Sequence, residues 1–100
     1  MMELSKIKAY IGFAIKSRNI KYGVDDIVKV KKFQLIMISD CLAQSSKNKI
    51  INFANNNGCE VSEFSADEFL SLFNGNESIK AVSVTDKGLA DAIKKIMNPN

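Results

Sequence analysis

The chain predicts an α/β fold, a three-layer αβα sandwich in the order αβαβαβαβα around a small mixed sheet. Short β-branched runs alternate with longer stretches whose apolar residues recur at three- and four-residue spacing. One run, Phe33-Gln34-Leu35-Ile36-Met37-Ile38, is almost continuously apolar, as a central strand covered on both faces must be. Helices then have to flank the sheet. A chain of 100 residues is long enough for one core and too short for two, so residues 1–100 are expected to form a single domain.

Each element has its own signal. Leu4, Ile7, Ile11, Ala14 and Ile15 form a helical stripe with Lys6, Lys8 and Lys16 outside it, which predicts a first helix from Leu4 to Lys16. Ile20 to Tyr22 is a short strand ending at Gly23, and a second helix follows, carrying Ile27, Val28 and the lysines. Leu42 to Asn56 reads as a third helix, with Ile50, Ile51, Phe53 and Ala54 inward and Asn57-Gly58 as its stop. Cys59 to Phe64 alternates like a strand. Ser65-Ala66-Asp67-Glu68 has capping-box spacing and starts a helix through Phe73, ended by Asn74-Gly75-Asn76. Ile79 to Val84 is a last strand, and Thr85-Asp86 caps a helix to about Met97, ahead of Pro99.

Composition narrows the function. Hydrophobic residues make up 46% and charged residues 25%, ordinary globular usage that argues against disorder. No apolar run reaches the ~18 residues of a membrane span, and Lys6 and Lys8 interrupt any N-terminal signal segment, so a cytoplasmic location without membrane contact is expected. With no histidine, Cys41 and Cys59 have no partner for a common zinc site or a Cys-His catalytic pair, and free buried thiols are the expectation. Residues 1–50 hold ten basic and four acidic side chains and residues 51–100 hold four and seven, which makes the halves +6 and −3. A basic half suits an acidic polymer such as RNA. An ordinary solvated surface of a lysine-rich protein accounts for the same numbers.

Gly23-Val24-Asp25-Asp26-Ile27-Val28-Lys29 resembles the Gly-x-Asn-Glu-x-x-Lys motif of the kink-turn-binding ribosomal protein family, named for the archaeal L-seven-Ae protein. Asp25 stands where that family's RNA readers have Asn, and Asp26 where they have Glu. Two other segments are similar to the family's bacterial YlxQ-like branch. Ile11-Gly12-Phe13-Ala14-Ile15-Lys16-Ser17 resembles its Leu-Gly-Leu-Ala-x-Arg-Ala, with Arg18 in place of the glycine that often follows. Val82-Ser83-Val84-Thr85-Asp86-Lys87-Gly88-Leu89-Ala90 resembles its Val-Ala-Val-Thr-Asp-Lys-Gly-Phe-Ala. Gly12 inside a helix costs ~1 kcal/mol relative to alanine, for which close helix packing is the expected cause.

The resemblance implies a non-catalytic protein that binds structured RNA, kink-turn-like or ribosomal, and is ribosome-associated, without cofactor or small-molecule substrate. It implies that the motif side chains reach purine edges of sheared G·A pairs, and that Asn76-Glu77-Ser78-Ile79-Lys80 lies beside the motif helix and packs on unpaired bases. The candidate RNA-binding residues are Gly23, Asp25, Asp26, Lys29, Lys31, Lys32, Ile79 and Lys80. An ionised Asp25 only accepts hydrogen bonds, so unlike Asn it repels guanine O6. Gly23 permits close backbone approach, and Lys29, Lys31 and Lys32 offer phosphate contacts without base information. Lys16, Arg18 and Lys21 are expected to add positive charge at the same end of the fold.

Each residue also has a structural explanation. Asp25 and Asp26 stabilise a helix N-terminus by ~0.3–1 kcal/mol, and Ile79 serves equally as the first core residue of a strand. Two other functions compete. Ser39-Asp40-Cys41 followed by a helix start superficially resembles a phosphocysteine loop, but it lacks the opening glycine and an arginine, and Asp40 opposes thiolate formation. A protein-interaction module of the same fold that has lost kink-turn reading is the alternative, with Glu60, Glu63, Asp67, Glu68 and Phe69 as its face.

Overall fold

The computed structural model describes residues 3–30 and 34–98. The elements are α1 (Leu4–Lys16), β1 (Ile20–Tyr22), α2 (Val24–Ile27), β2 (Leu35–Ser39), α3 (Gln44–Asn57), β3 (Glu60–Phe64), α4 (Ala66–Leu72), β4 (Ala81–Val84) and α5 (Lys87–Met97). The predicted alternation is therefore the observed one.

The four strands form one sheet in the order β1-β4-β2-β3. β4 runs antiparallel to both neighbours, with Val82 opposite Tyr22 on one side and Met37 on the other, whereas β2 and β3 are parallel. The sheet is mixed because only the β2–β3 connection is a helical crossover between neighbouring parallel strands. All residues of β2 and β4 are buried. Side chains alternate across a strand, so these two central strands feed two cores. Leu35, Met37, Val82 and Val84 pack with α1, α4 and α5 on one face. Ile36, Ile38 and Ala81 pack with Ile27 of α2 and with Ile50 and Ala54 of α3 on the other. This is the three-layer αβα sandwich.

The caps explain several boundaries. The Ser65 side chain accepts the Glu68 N–H while Glu68 accepts the Ser65 N–H, a complete capping box for α4. Asp86 accepts the Leu89 N–H at 2.8 Å and opens α5. Gly58 adopts a left-handed φ of 66° at the end of α3, where its missing Cβ removes the steric cost.

Other expectations are corrected. The second helix does not continue through the lysines but ends at Ile27, whose carbonyl accepts from the Val30 N–H at 3.2 Å and from buried Gln34 Nε2 at 3.2 Å. Those bonds occupy the acceptor that another helical turn would use. Phe33 lies outside the described residues; β2 begins at Leu35, and α3 begins at Gln44 rather than Leu42. β4 starts at Ala81, and Ile79 and Lys80 lie between the preceding turn and the strand. Ile15 and Ile51 are exposed, not inward: each lies on the flank of its helix stripe. Gly12 has no atom within 4 Å of where a Cβ would stand, so close packing is not its cause. The thiols are free, but Cys41 is exposed and Cys59 only half-buried.

Candidate functional site

β1 delivers the chain to the edge of the sheet, where Gly23 turns it into α2. Gly23 has φ 85° and ψ 154°, a region that is essentially glycine-only. Among the described residues nothing lies within 4 Å of its absent Cβ, so the backbone here is open to an approaching molecule. The Gly23 N–H donates to the Ala81 carbonyl at 2.9 Å, tying the start of α2 to the start of β4. The Ser39 N–H donates to the Lys80 carbonyl at 2.9 Å. These two bonds bring Gly23, Asp25 and Asp26 to the same end of the sheet as Ile79 and Lys80.

Asp25 and Asp26 occupy the first turn of α2 and are both exposed. α2 has only four residues and no side-chain cap, so its own dipole gives the two carboxylates little stabilisation. Asp25 instead meets Lys49 of α3, with Nζ 3.3 Å from Oδ1. Sequence reasoning missed Lys49: it lies 24 positions from Asp25, and only the packing of α3 beside α2 joins them. Lys29 is exposed in the turn after α2, its N–H bonded to the Asp26 carbonyl at 3.2 Å. Lys31 and Lys32 lie outside the described residues.

The predicted basic cluster does not gather at one end. Asn19 accepts the Thr85 N–H at 2.9 Å, which places the α1–β1 turn at the far end of β4. Lys16 and Arg18 therefore sit at the opposite end of β1 from Gly23, roughly 15 Å away at ~3.3 Å per strand residue. Arg18 has φ 60°, the conformation glycine would adopt there without strain. Lys21 is exposed opposite Ser83. Burial raises the Tyr22 phenol above its ordinary value of 10.0.

Beside Ile79 and Lys80 a cavity of about 290 Å³ opens at the C-terminal end of β2. Phe69, Leu70 and Ile79 form its apolar wall, and Cys41, Glu77 and Lys80 rim it. Ile79 is half-buried against the α1/α4/α5 core, so it serves packing and still lines the cavity. The Cys41 N–H donates to Ser39 Oγ at 3.2 Å, an Asx-like turn that starts the approach to α3.

Of the acidic second half, Glu60, Glu63 and Asp67 are exposed and Glu68 is half-buried, whereas Phe69 belongs to the core. Phe69 is buried at 2% exposure, Glu63 pairs with Lys47 at 2.6 Å, and Glu60 lies 3.9 Å from Lys94. Glu68 is held in its capping box. Among the described residues, no three Cys, Asp or Glu side chains cluster to hold a metal ion, and no helix is long and apolar enough to cross a membrane.

No protein-family model matches the chain, and no curated protein sequence matches it. A solved structure described as a protein with unknown function from Bacillus halodurans C is similar, with a TM-score of 0.79 and 16% identity. The similarity covers 93% of this chain and 97% of that one. At that identity the likeness establishes a shared fold: over the matched residues this chain is an α/β sandwich of the same architecture.

Proposed function

We propose that the protein binds structured RNA without catalysis, as a ribosome-associated factor acting in the cytoplasm. The observation that carries this reading is the junction of α2 and the β4 approach. Two backbone bonds set the Gly23-to-Asp26 turn beside Ile79 and Lys80, with an apolar cavity between α4 and that approach. The resemblance to the kink-turn binders implies this juxtaposition: a motif helix for paired purines and a neighbouring loop for unpaired bases. Open space over Gly23 suits a closely approaching backbone. Lys29, Lys49 and Lys80 surround the junction with cations that suit phosphate.

Asp25 limits base reading. Its carboxylate presents acceptors where a guanine O6 requires a donor, so phosphate contacts dominate the affinity. The protein-interaction module is the alternative; of its expected face Phe69 is buried, while Glu60, Glu63 and Asp67 are exposed. Crosslinking the endogenous protein in cells and sequencing the attached RNA tests the proposal. Recovery of discrete ribosomal or other folded RNA segments is expected. Recovery of no RNA above background, with one protein co-purifying free of nucleic acid, would overturn it in favour of the interaction module.

A further inference from the structure

The outer face of α1 carries an aromatic ring that adds little to the core: Phe13 is 57% exposed. A helical side chain leans back over the preceding turn, and here that turn offers Tyr10 and the small, exposed Ala9. Tyr10 packs on the α1/α4/α5 core, and its ring centre lies 6.4 Å from that of Phe13 at a tilt of 57°. Such a tilted contact steadies the Phe13 ring while leaving it in solvent. The surroundings are basic. From Glu3 to Asn19 the chain holds four basic side chains and one acid, and that acid, Glu3, is paired with Lys6 at 2.8 Å. Lys16 stands three residues after Phe13, its neighbour on the helix surface, and Arg18 follows in the turn that ends the helix. Among the described residues neither is in an ion pair. Arg18 also holds φ 60°, so a charge is kept at a position that suits glycine better.

We propose that this face of α1 is a second RNA contact, in which Phe13 stacks on an unpaired base while Lys16 and Arg18 meet the flanking phosphates. A steadied, exposed ring among cations is what binding to single-stranded nucleic acid requires, since every base has a face to stack and every linkage a charge to neutralise. The apolar exposure does not extend far enough for a membrane or a protein partner. Ile15, 46% exposed, stands two positions after Phe13 and therefore roughly 200° around the helix, so the two do not form a continuous apolar face. One ring suffices for one base. The contact rests on the RNA reading above and adds to it a surface at the far end of β1 from Gly23.

The chain has no tryptophan, so Phe13→Trp puts a single fluorescent indole at the contact. A short oligouridylate at low salt should quench its emission, and inorganic polyphosphate, which offers charge without bases, should not. Phe13→Leu should weaken oligouridylate binding about tenfold and leave polyphosphate binding unchanged. Arg18→Gly, which the left-handed backbone accommodates, should weaken both and lower the salt slope by ~1. Melting curves of all variants establish that each is folded. Oligouridylate binding without quenching, or a Phe13→Leu variant that binds it as the unmodified protein does, would overturn the α1 contact; binding of structured RNA that Lys29→Ala weakens would leave the RNA reading standing. An emission shift caused by anionic lipid vesicles and not by oligouridylate would overturn it in favour of a membrane surface. Failure of the unmodified protein to bind single-stranded or structured RNA at low salt would remove the RNA reading and this contact together.

Discussion

On one face of the sheet, α1, α4 and α5 bury thirteen residues in a single cluster that includes Phe64, Phe69 and Phe73. On the other, α2 and α3 bury six among the described residues. The first face is also the well-capped one, with the Ser65 capping box and the Asp86 cap. The second contains a four-residue helix and two buried polar atoms, Gln34 Oε1 and Ser83 Oγ, without partners among the described residues. It also carries Asp25, Lys49 and Lys29, which are exposed. Burial is thus concentrated on one side, while Asp25, Lys29 and Lys49 stand on the side with the smaller cluster. A short helix anchored by backbone bonds at its start and by Gln34 at its end holds charged side chains in place without a large core beneath them.

The largest test of that asymmetry is Phe64→Ala. Truncating a buried aromatic in the larger cluster should cost ~3–5 kcal/mol, whereas Ile27→Ala beneath α2 should fall near ~2 kcal/mol, the low end for such a change. Denaturant melts of the two variants decide the point. Equal costs would show that both faces carry the fold alike.

Next in size is Asp25→Asn, which should raise affinity for a standard kink-turn by ~1–3 kcal/mol, because the amide restores a donor opposite guanine O6. Direct binding measurements on kink-turn RNA read the change. Unaltered melting would place the effect on the ligand side of the comparison.

The smallest effect concerns Ser83, whose buried hydroxyl has no partner among the described residues. Ser83→Ala removes a polar group that burial leaves unsatisfied and should stabilise the protein by ~1 kcal/mol. A lowered melting temperature would mean that the hydroxyl is satisfied and the second face better built than the geometry indicates.

How much the sequence revealed divides along a different line, between local and tertiary causes. Where structure follows from local pattern, reading succeeded: α1 runs from Leu4 to Lys16, β1 from Ile20 to Tyr22, and Ser65, Gly58 and Asp86 act as the terminators their residue types suggest. The end of α2 was not legible, because Gln34 reaches back seven residues to the Ile27 carbonyl through tertiary packing. Nor was the split of the basic residues, since the antiparallel pairing of β1 with β4 places Arg18 and Gly23 at opposite ends of a strand. Ile15 and Ile51 show the limit of periodicity: a helical stripe has flanks, and which flank faces solvent depends on the neighbouring helix. At the site, Gly23 could be read from its residue type, but Lys49 could not, because nothing local links it to Asp25.

The central claim is that the end of α2 meets RNA mainly through phosphates. It is tested most directly by titrating the protein and its Lys29→Ala variant with structured RNA at two salt concentrations. The account predicts affinity that falls steeply with salt as counterions are released, and a variant that binds all RNAs more weakly with a salt slope smaller by ~1. Absence of binding even at low salt, or a Lys29→Ala variant with unchanged affinity and slope, would contradict it.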